Sequence, residues 1–545
     1  MADRIPPRIP AGMRDILPAQ MIKRQYVLDT VRAIFERYGF EPLQTSAVEL
    51  SETLMGKYGE DAERLIYKTW YGDTPGGEFS LRYDLSVPLC RVVAMYPELP
   101  RPFKRYQIAP VWRADRPQRG RYREFFQCDV DIVGSTSMLA DAEIVAVAYE
   151  VLTGLGFSEF TIAINNRKIL DGIGQYAGVP EALQAGLYRS IDKLDKIGMD
   201  GVRSELLMVG VPGQIMEPLQ RIARLAIQGK LAFEQMRDRM IASPDQGGEG
   251  LPSALADAIL EPLQELVRAA IERQIAPGEL QAATRALVME LSAPLRRYYS
   301  TQNDIIPDEV VDRLLSLLQL KGSNQQVLDE LAGRLSDYPR AIEGINELRE
   351  LFSGLEAMGV PSDICQISFA MVRGLEYYTG PIFEITVEKP KAMPSITGGG
   401  RYDELIGLFA ERSYPATGIS FGIERIIDAM DELGMFPEEI SRTTAEVLVT
   451  TFSRETTEAS LRTATLLRQA GINTTVYFEA DDRLGAQIGY ASALGIPFVV
   501  ILGPDEIAAG TVTLRKLGKT REDSVEQTIA QADLPEAIQA WRAVR

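Results

Sequence analysis

Three patterns predict a multidomain α/β protein. Residues 103–134, FKRYQIAPVWRADRPQRGRYREFFQCDVDIVG, read as two long strands around a basic loop. The middle of the chain, 166–360, turns mostly helical, and from residue 445 strand-like and helix-like runs alternate. At 545 residues there is room for three or four domains, and 46% hydrophobic residues supply their cores.

From 20 to 38 the apolar positions Val27, Val31, Ile34, Phe35 and Tyr38 follow helical spacing, with Gly39 as the stop and a strand-like segment after it. Residues 81–89, LRYDLSVPL, alternate so that Arg82, Asp84 and Ser86 share a strand face opposite Leu81, Tyr83 and Leu85. On the return strand of the long hairpin, period two puts Phe125, Gln127, Asp129 and Asp131 on one face. Phe126, Cys128, Val130 and Ile132 take the other, which reads as core. The first set offers a flat ring, an amide and two carboxylates, suited to stacking a nucleobase and holding a cation opposite a phosphate-gripping arginine. For an isolated strand, a solvated sheet face would be the commoner meaning of this pattern. The hairpin loop crowds Arg113, Arg116, Arg119, Arg121 and Arg123 together as an anion-binding feature. After a Gly/Pro-rich break at 243–252 a helical run, SALADAILEPLQELVRAAIERQ, follows. The order EVLVTTF, helix, INTTVYF, helix, PFVVILG then predicts a compact terminal α/β domain, whose basic cluster Arg515, Lys516, Lys519 and Arg521 could meet RNA phosphates.

Composition narrows the chemistry. The 58 basic against 76 acidic residues give a net charge of −18, which opposes binding of nucleic acid by bulk field but leaves room for local docking of one folded RNA. Histidine is absent, although ordinary composition would supply on the order of ten. Imidazole catalysis, histidine zinc sites and Ser-His-Asp triads are thereby excluded. What remains works through arginines, carboxylates and metal-nucleotide. Cys90, Cys128 and Cys365 have neither metal-ligand spacing nor a disulfide-framework count. With no apolar signal core at the start and no run of about eighteen apolar residues, a soluble cytoplasmic protein without a membrane partner is expected.

Four segments, the hairpin, RGLEYYTG at 373–380, GGGRYDELIGLF at 398–409 and ATGISFGIERI at 416–426, together resemble the histidyl-tRNA synthetase family of class II aminoacyl-tRNA synthetases. The hairpin is similar to motif 2 of that class and the last segment to motif 3. RGLEYY and GGGRYD resemble the two histidine signatures, and NNRKILDGI and SIDKLDKIG the eukaryote-like version of the family's insertion. The resemblance implies an antiparallel-sheet catalytic core in two parts, 1–165 and 361–434, a mostly helical insertion at 166–360 and an α/β anticodon-binding domain at 435–545. It implies activation of L-histidine by ATP, with Mg2+, then transfer to histidine tRNA by a homodimer whose interface is the first helix and strand. The alternative is the synthetase-like regulatory subunit of histidine biosynthesis, which lacks an anticodon domain.

Residue by residue, the resemblance implies that Arg373 and Arg113 are catalytic: Arg113 grips the α-phosphate, and Arg373 bridges it to the histidine carboxylate in place of a metal. Arg121 and Arg425 hold the outer phosphates and Phe125 stacks adenine. Asp84 and Ser86 take the α-amino group, Gln127 contacts the amino acid's backbone atoms, and Asp131 with Tyr378 reads the imidazole. Tyr377 and Tyr402 are further candidates. Arg116 and Gln118 correspond to positions that read the tRNA acceptor end. The glycines 398–400 read as a turn beneath the ligand. Three departures stand out: Thr45-Ser46 for Thr-Pro, Glu376 for Asp, and Gln107 where eukaryote-like relatives lead one to expect histidine.

Overall fold

The computed structural model describes residues 5–58, 63–70, 76–118, 120–207, 209, 213–241, 251–275, 279–280, 283, 286, 290–291, 295–296, 306–371, 377–391, 393–437, 440, 442–480, 482–518 and 523–543. They fall into two compact units, one of residues 34–114 and 126–422, the other of 1–33, 115–125 and 423–545.

The first unit is built on a sheet of eight strands. Helix α1 (Pro18–Arg37) precedes it in sequence, and Gly39 ends the helix at φ +75°, a left-handed turn that glycine adopts without a Cβ penalty. Phe35, at the end of α1, sits 5.7 Å from both Tyr106 and Phe421. The strands are β1 (Glu41–Pro42), β5 (Phe103–Trp112), β6 (Glu124–Val133), β7 (Phe160–Asn166), β8 (Cys365–Ile367), β9 (Pro381–Val387), β10 (Thr397–Arg401) and β11 (Ala416–Gly422). Their order is β1-β5-β6-β11-β10-β9-β7-β8, and the central pairs are antiparallel. A satellite sheet holds β2 (Val48–Leu50), β4 (Phe79–Leu81) and β3 (Lys68–Thr69), in the order β2-β4-β3.

Two expectations are corrected. Residues 81–89 are not one strand: β4 ends at Leu81, and helix α2 (Ser86–Met95) begins at Ser86. The Asp84 carboxylate accepts the Val87 N–H at 3.1 Å, and Pro88 lies in the first turn, where a missing N–H costs nothing, so the sequence starts a helix there. Glycines 398–400 are not a turn either but the body of β10, between β9 and β11. A Cβ on Gly399 would lie 2.1 Å from the Gly418 carbonyl oxygen, and one on Gly400 2.7 Å from that of Pro381. The glycines let strands approach where side chains would collide.

The chain between β7 and β8 is helical in its described parts, including Arg167–Ala177, Ser253–Glu272 and Pro339–Ala357. In the second unit, β12 (Val447–Val449), β13 (Thr474–Val476) and β14 (Phe498–Ile501) are parallel, joined through helices Thr457–Gln469 and Leu484–Leu494, the alternation that the sequence predicts. Two antiparallel strands, β15 (Thr511–Lys516) and β16 (Val525–Ala530), extend the sheet to β13-β12-β14-β15-β16.

Gly399→Ala should lower the thermal unfolding midpoint through a cost on the order of 3 kcal/mol, because the colliding atom is backbone and cannot rotate away. Gly333→Ala is the control: it lies in helix Asn324–Arg334 with nothing within 4 Å of where the added methyl would stand, and should be neutral or stabilising by up to about 1 kcal/mol. Equal midpoints for the two variants would contradict the close packing of β10 on β11.

Candidate active site

A buried polar cluster of the first unit grows from β6. Cys128, Val130 and Ile132 are core, as the alternation predicts, at 0%, 0% and 3% exposure. The opposite face is buried as well: Gln127, Asp129 and Asp131 keep only 9%, 3% and 2% of their surface, which excludes a solvated face. Carboxylates buried this far need partners. The neighbouring strand provides one in Arg105, fully buried, whose Nη2 lies 2.8 Å from Asp131 Oδ2 and donates to the Leu85 carbonyl at 3.2 Å. Tyr402 OH donates to Asp131 Oδ1. On β11 the residue paired with Asp131 is Gly418, where a Cβ would meet Asp131 Oδ1 at 2.0 Å, so the carboxylate lies over a bare stretch of backbone. Burial pushes the Asp131 carboxyl up, and Arg105 and Tyr402 pull it back down.

Asp129 pairs with Ser420 and Gln127 with Gly422 across the same ladder. Gln127 Nε2 donates to Ser420 Oγ at 2.9 Å, and the Ser420 hydroxyl, paired across the ladder with Asp129, favours that residue's ionised form. Desolvation pushes Asp129 up to about 7 despite the opposing pull of Arg105. Asp84, whose Oδ1 accepts from Tyr58 OH at 2.8 Å and from Val87 N–H, is raised by burial too. Ser86, at the start of α2, is hydrogen-bonded to the Tyr377 hydroxyl, and Tyr377 to Tyr378, the two rings meeting edge to face at 5.0 Å. Asp131, Asp129 and Asp84 all push the Tyr378 phenol upward after burial itself. Among the described residues Asp84 Oδ2, Gln127 Oε1, Asp129 Oδ1 and the Nε and Nη1 atoms of Arg105 are buried without a hydrogen-bond partner. Buried polar atoms in that condition mark a place for a ligand or water.

Arg113, just past β5, donates from Nε to the Tyr83 carbonyl at 3.0 Å, with its guanidinium 4.3 Å from the centre of the Tyr83 ring. Arg121, Phe125 and Arg425 belong to the second unit. There Arg425, in the first turn of helix Ile423–Leu433, donates from Nε to the Gly120 carbonyl at 3.1 Å and so holds the hairpin loop, while Arg121 lies 3.8 Å from Asp115. Arg116 and Gln118 are exposed. Arg373, with Gly374 and Glu376, lies outside the described residues, as do Arg119, Lys519 and Arg521. Arg515 faces Glu526 at 3.6 Å.

Sequence reasoning missed Arg105, Tyr58 and Ser420 as site residues and used Asp129 only to define a face. The available signal was charge in the wrong place: Arg105 stands inside a ten-residue strand at a buried position, where an unpaired guanidinium would not survive.

A large antiparallel sheet with an acidic pocket, joined in one chain to a parallel α/β domain, is the make-up of an aminoacyl-tRNA synthetase. The histidyl-tRNA synthetase family model matches residues 12–245 and 262–426, and the anticodon binding domain model matches residues 446–541. The histidine–tRNA ligase of Gloeobacter violaceus is 36% identical over 543 residues, 94% of this chain and 95% of that one. That of Aeropyrum pernix is 37% identical, covering 94% of each. The crystal structure of histidyl-tRNA synthetase from Nostoc sp. PCC 7120 superposes with a TM-score of 0.70 at 29% identity, over 98% of this chain and 100% of that one. The chain belongs to the histidyl-tRNA synthetase family.

The raised Asp129 value makes stability depend on pH with a definite sign. An unfolded aspartate ionises near ~4, whereas Asp129 in the fold holds its proton to about 7. Below ~4 both states are protonated; between ~4 and ~7 only the unfolded state loses its proton, so stability falls as pH rises. Asp129→Asn removes this loss. Its unfolding midpoint relative to the parent should therefore be higher at pH 8 than at pH 5, and the opposite trend in calorimetry would mean that Arg105 keeps the carboxylate ionised throughout.

Proposed function

We propose that the acidic pocket on β6 is the amino-acid half of the site at which this synthetase activates L-histidine with ATP, before passing the histidyl group to the 3′ end of histidine tRNA. The observation that carries the reading is the pair of buried acceptor oxygens on Asp84 and Gln127, left without partners beside an Asp131 held by Arg105 and Tyr402. Acceptors without donors suit a cationic ligand. Tyr402 donates to Asp131 Oδ1, and Oδ2, though ion-paired with Arg105, is buried without a hydrogen-bond donor, so it can accept an imidazole N–H while Tyr378 serves the other ring nitrogen. A ring lacking two nitrogens would leave those groups unpaired and be rejected. Asp84 and Ser86, with Gln127, serve the amino acid's α-amino and backbone atoms, and Tyr377 positions Tyr378.

Histidine's carboxylate is itself the nucleophile and needs no protein base. It attacks the α-phosphate of ATP, the bond to the β-phosphate breaks, and pyrophosphate leaves with the electron pair. The obstacle is repulsion between anions, which fixed cations remove. Arg113 takes the α-phosphate, Arg373 bridges it to the carboxylate, Arg121 and Arg425 hold the outer phosphates, and Phe125 stacks on adenine. Arginine suits each place because its planar fork binds two oxygens and never deprotonates. Mg2+ enters with ATP. Among the described residues no group of three or more His, Cys, Asp or Glu could hold a metal ion.

The acceptor end of the tRNA meets Arg116 and Gln118, and the 166–360 insertion closes over the acceptor stem. The 435–545 domain holds the anticodon, with Arg515 and Lys516 on phosphates. The match of residues 446–541 to an anticodon binding domain favours the ligase over the regulatory subunit. A homodimer through the first helix and strand is supported by Val48 and Leu50, each 42% exposed on β2, which a second copy would cover. Cytoplasmic location is supported by three buried free cysteines and by the lack, among the described residues, of a helix long and apolar enough to cross a membrane.

Arg373→Ala should abolish histidine-dependent pyrophosphate exchange with ATP affinity nearly intact, since a bridge between reactants matters most in the transition state. Exchange within about threefold of the parent would sink the assignment. Asp131→Asn and Tyr378→Phe should each raise the KM for histidine by the equivalent of roughly 1–3 kcal/mol with little change for ATP; parallel losses for both substrates would mean that they support the fold instead.

Lys516→Glu should raise the KM for tRNA in the charging assay while leaving pyrophosphate exchange unchanged, because it acts on phosphates remote from the chemistry. Unaltered charging at physiological salt would remove β15 from the RNA-binding surface.

A further inference from the structure

Gln127 presents an orientation problem that its own strand does not solve. The two ends of an amide are nearly the same size but opposite in hydrogen-bonding sense, so shape alone does not decide which end faces a ligand. Here Nε2 is turned to Ser420 Oγ, at 2.9 Å, and Oε1 is buried with no partner among the described residues. Ser420 has one hydroxyl proton. Because Gln127 Nε2 can only donate, Ser420 must accept there and turn its proton elsewhere, and the Asp129 carboxylate, its direct cross-strand pair, is the acceptor beside it. Above about pH 7, where Asp129 has lost its proton, its carboxylate can only accept. The chain therefore runs one way, from Gln127 through Ser420 to Asp129, and turning the amide over would strand two acceptors against one proton.

The register supports this. Asp129 and Ser420 are directly paired across β6 and β11, and Gln127 is the next residue along the same face, so the three side chains stand in a row. On its other side Ser420 is paired with Gly398 of β10, which offers no side chain to compete. The charged groups acting on Asp129 are Arg105 from β5, Asp131 from its own strand and Asp84 before α2, and Arg82 feels its charge in turn.

We propose that Asp129 is a positioning residue for amino-acid selection: through Ser420 it fixes the amide of Gln127 with its oxygen toward the pocket, so that the site presents acceptors only to the substrate's α-ammonium. A flipped amide would aim an N–H at that cation. The relay rests on the pocket reading given above and adds to it a reason why the β6–β11 pair carries a carboxylate and a hydroxyl that need never touch the substrate.

The test is direct binding to the intact enzyme by calorimetry at pH 8, with L-histidine and with its α-hydroxy analogue, imidazole lactate. A neutral hydroxyl can donate or accept by rotation, so it tolerates either face of the amide, whereas an ammonium cannot. Asp129→Asn and Ser420→Ala should each weaken histidine about tenfold and leave the lactate nearly unchanged, collapsing the preference between them. The double variant should lose no more than the larger single loss, and Ser420→Thr, which keeps the hydroxyl, should retain the parental preference. Equal losses for both ligands, additive losses, or an unchanged preference would overturn the relay. If Asp129→Asn fails to fold, the Ser420→Ala and Ser420→Thr pair decides alone. Gln127→Ala separates the two levels: loss of histidine binding there with none in the relay variants rejects the relay only, and no loss anywhere rejects the pocket reading.

Discussion

The ion pair between Arg105 and Asp131 is the constraint on which the catalytic sheet depends. A strand in the middle of an eight-stranded sheet is ordinarily apolar on both faces, yet β6 turns an amide and two carboxylates to a side that is closed to water. Each buried carboxylate costs several kcal/mol unless its charge is met. A fully buried guanidinium on the adjacent strand meets it, and the same guanidinium keeps two nitrogens in reserve. Replacing such a pair with hydrophobic residues often gives a more stable sheet. Here it would give one with no pocket.

Room for that arrangement comes from what is missing on the other side of β6. Gly418 leaves the space that Asp131 occupies, and Gly399 and Gly400 let β10 close on β11 and β9. At its end the strand is pinned: Arg401 donates to the Ser135 carbonyl at 2.9 Å and pairs with the fully buried Asp141 of helix Met138–Gly154. That anchor sets where the next residue, Tyr402, falls, and Tyr402 is the second hand on Asp131. Backbone clearance, a remote ion pair and the hydroxyl that orients the carboxylate are thus one mechanical unit, carried by GGGRY.

The long hairpin, the first helix and the terminal strand-helix alternation were legible because each has a period that burial enforces. The glycine strand was not. Three glycines in sequence are the usual mark of a turn, and only the positions of the Gly418 and Pro381 carbonyls, distant in sequence, reveal why a central strand needs them. The start of α2 failed for a similar reason: LRYDLSVPL alternates well enough for a strand, and the Asp84–Val87 hydrogen bond and Pro88 carry a weaker signal than the pattern they interrupt. In the buried polar cluster, Asp131, Gln127 and Asp84 were singled out by resemblance, but their states were not legible. Whether a carboxylate is held, shared or left open depends on residues such as Arg105, Tyr58 and Ser420 that meet it only in three dimensions.

The absence of histidine shows how such a framework keeps its hydrogen bonds. Gln107, standing where the resemblance leads one to expect an imidazole, is buried against Thr45, with Nε2 donating to the threonine hydroxyl at 3.1 Å. An amide, like a neutral imidazole, offers one end that donates and one that accepts, and unlike it cannot take up a proton near neutrality. Glutamine keeps the contact and removes the titration. In the buried cluster on β6 the groups are then carboxylates, amides, phenols and an arginine, among them Asp84, Asp131, Gln127, Tyr402 and Arg105.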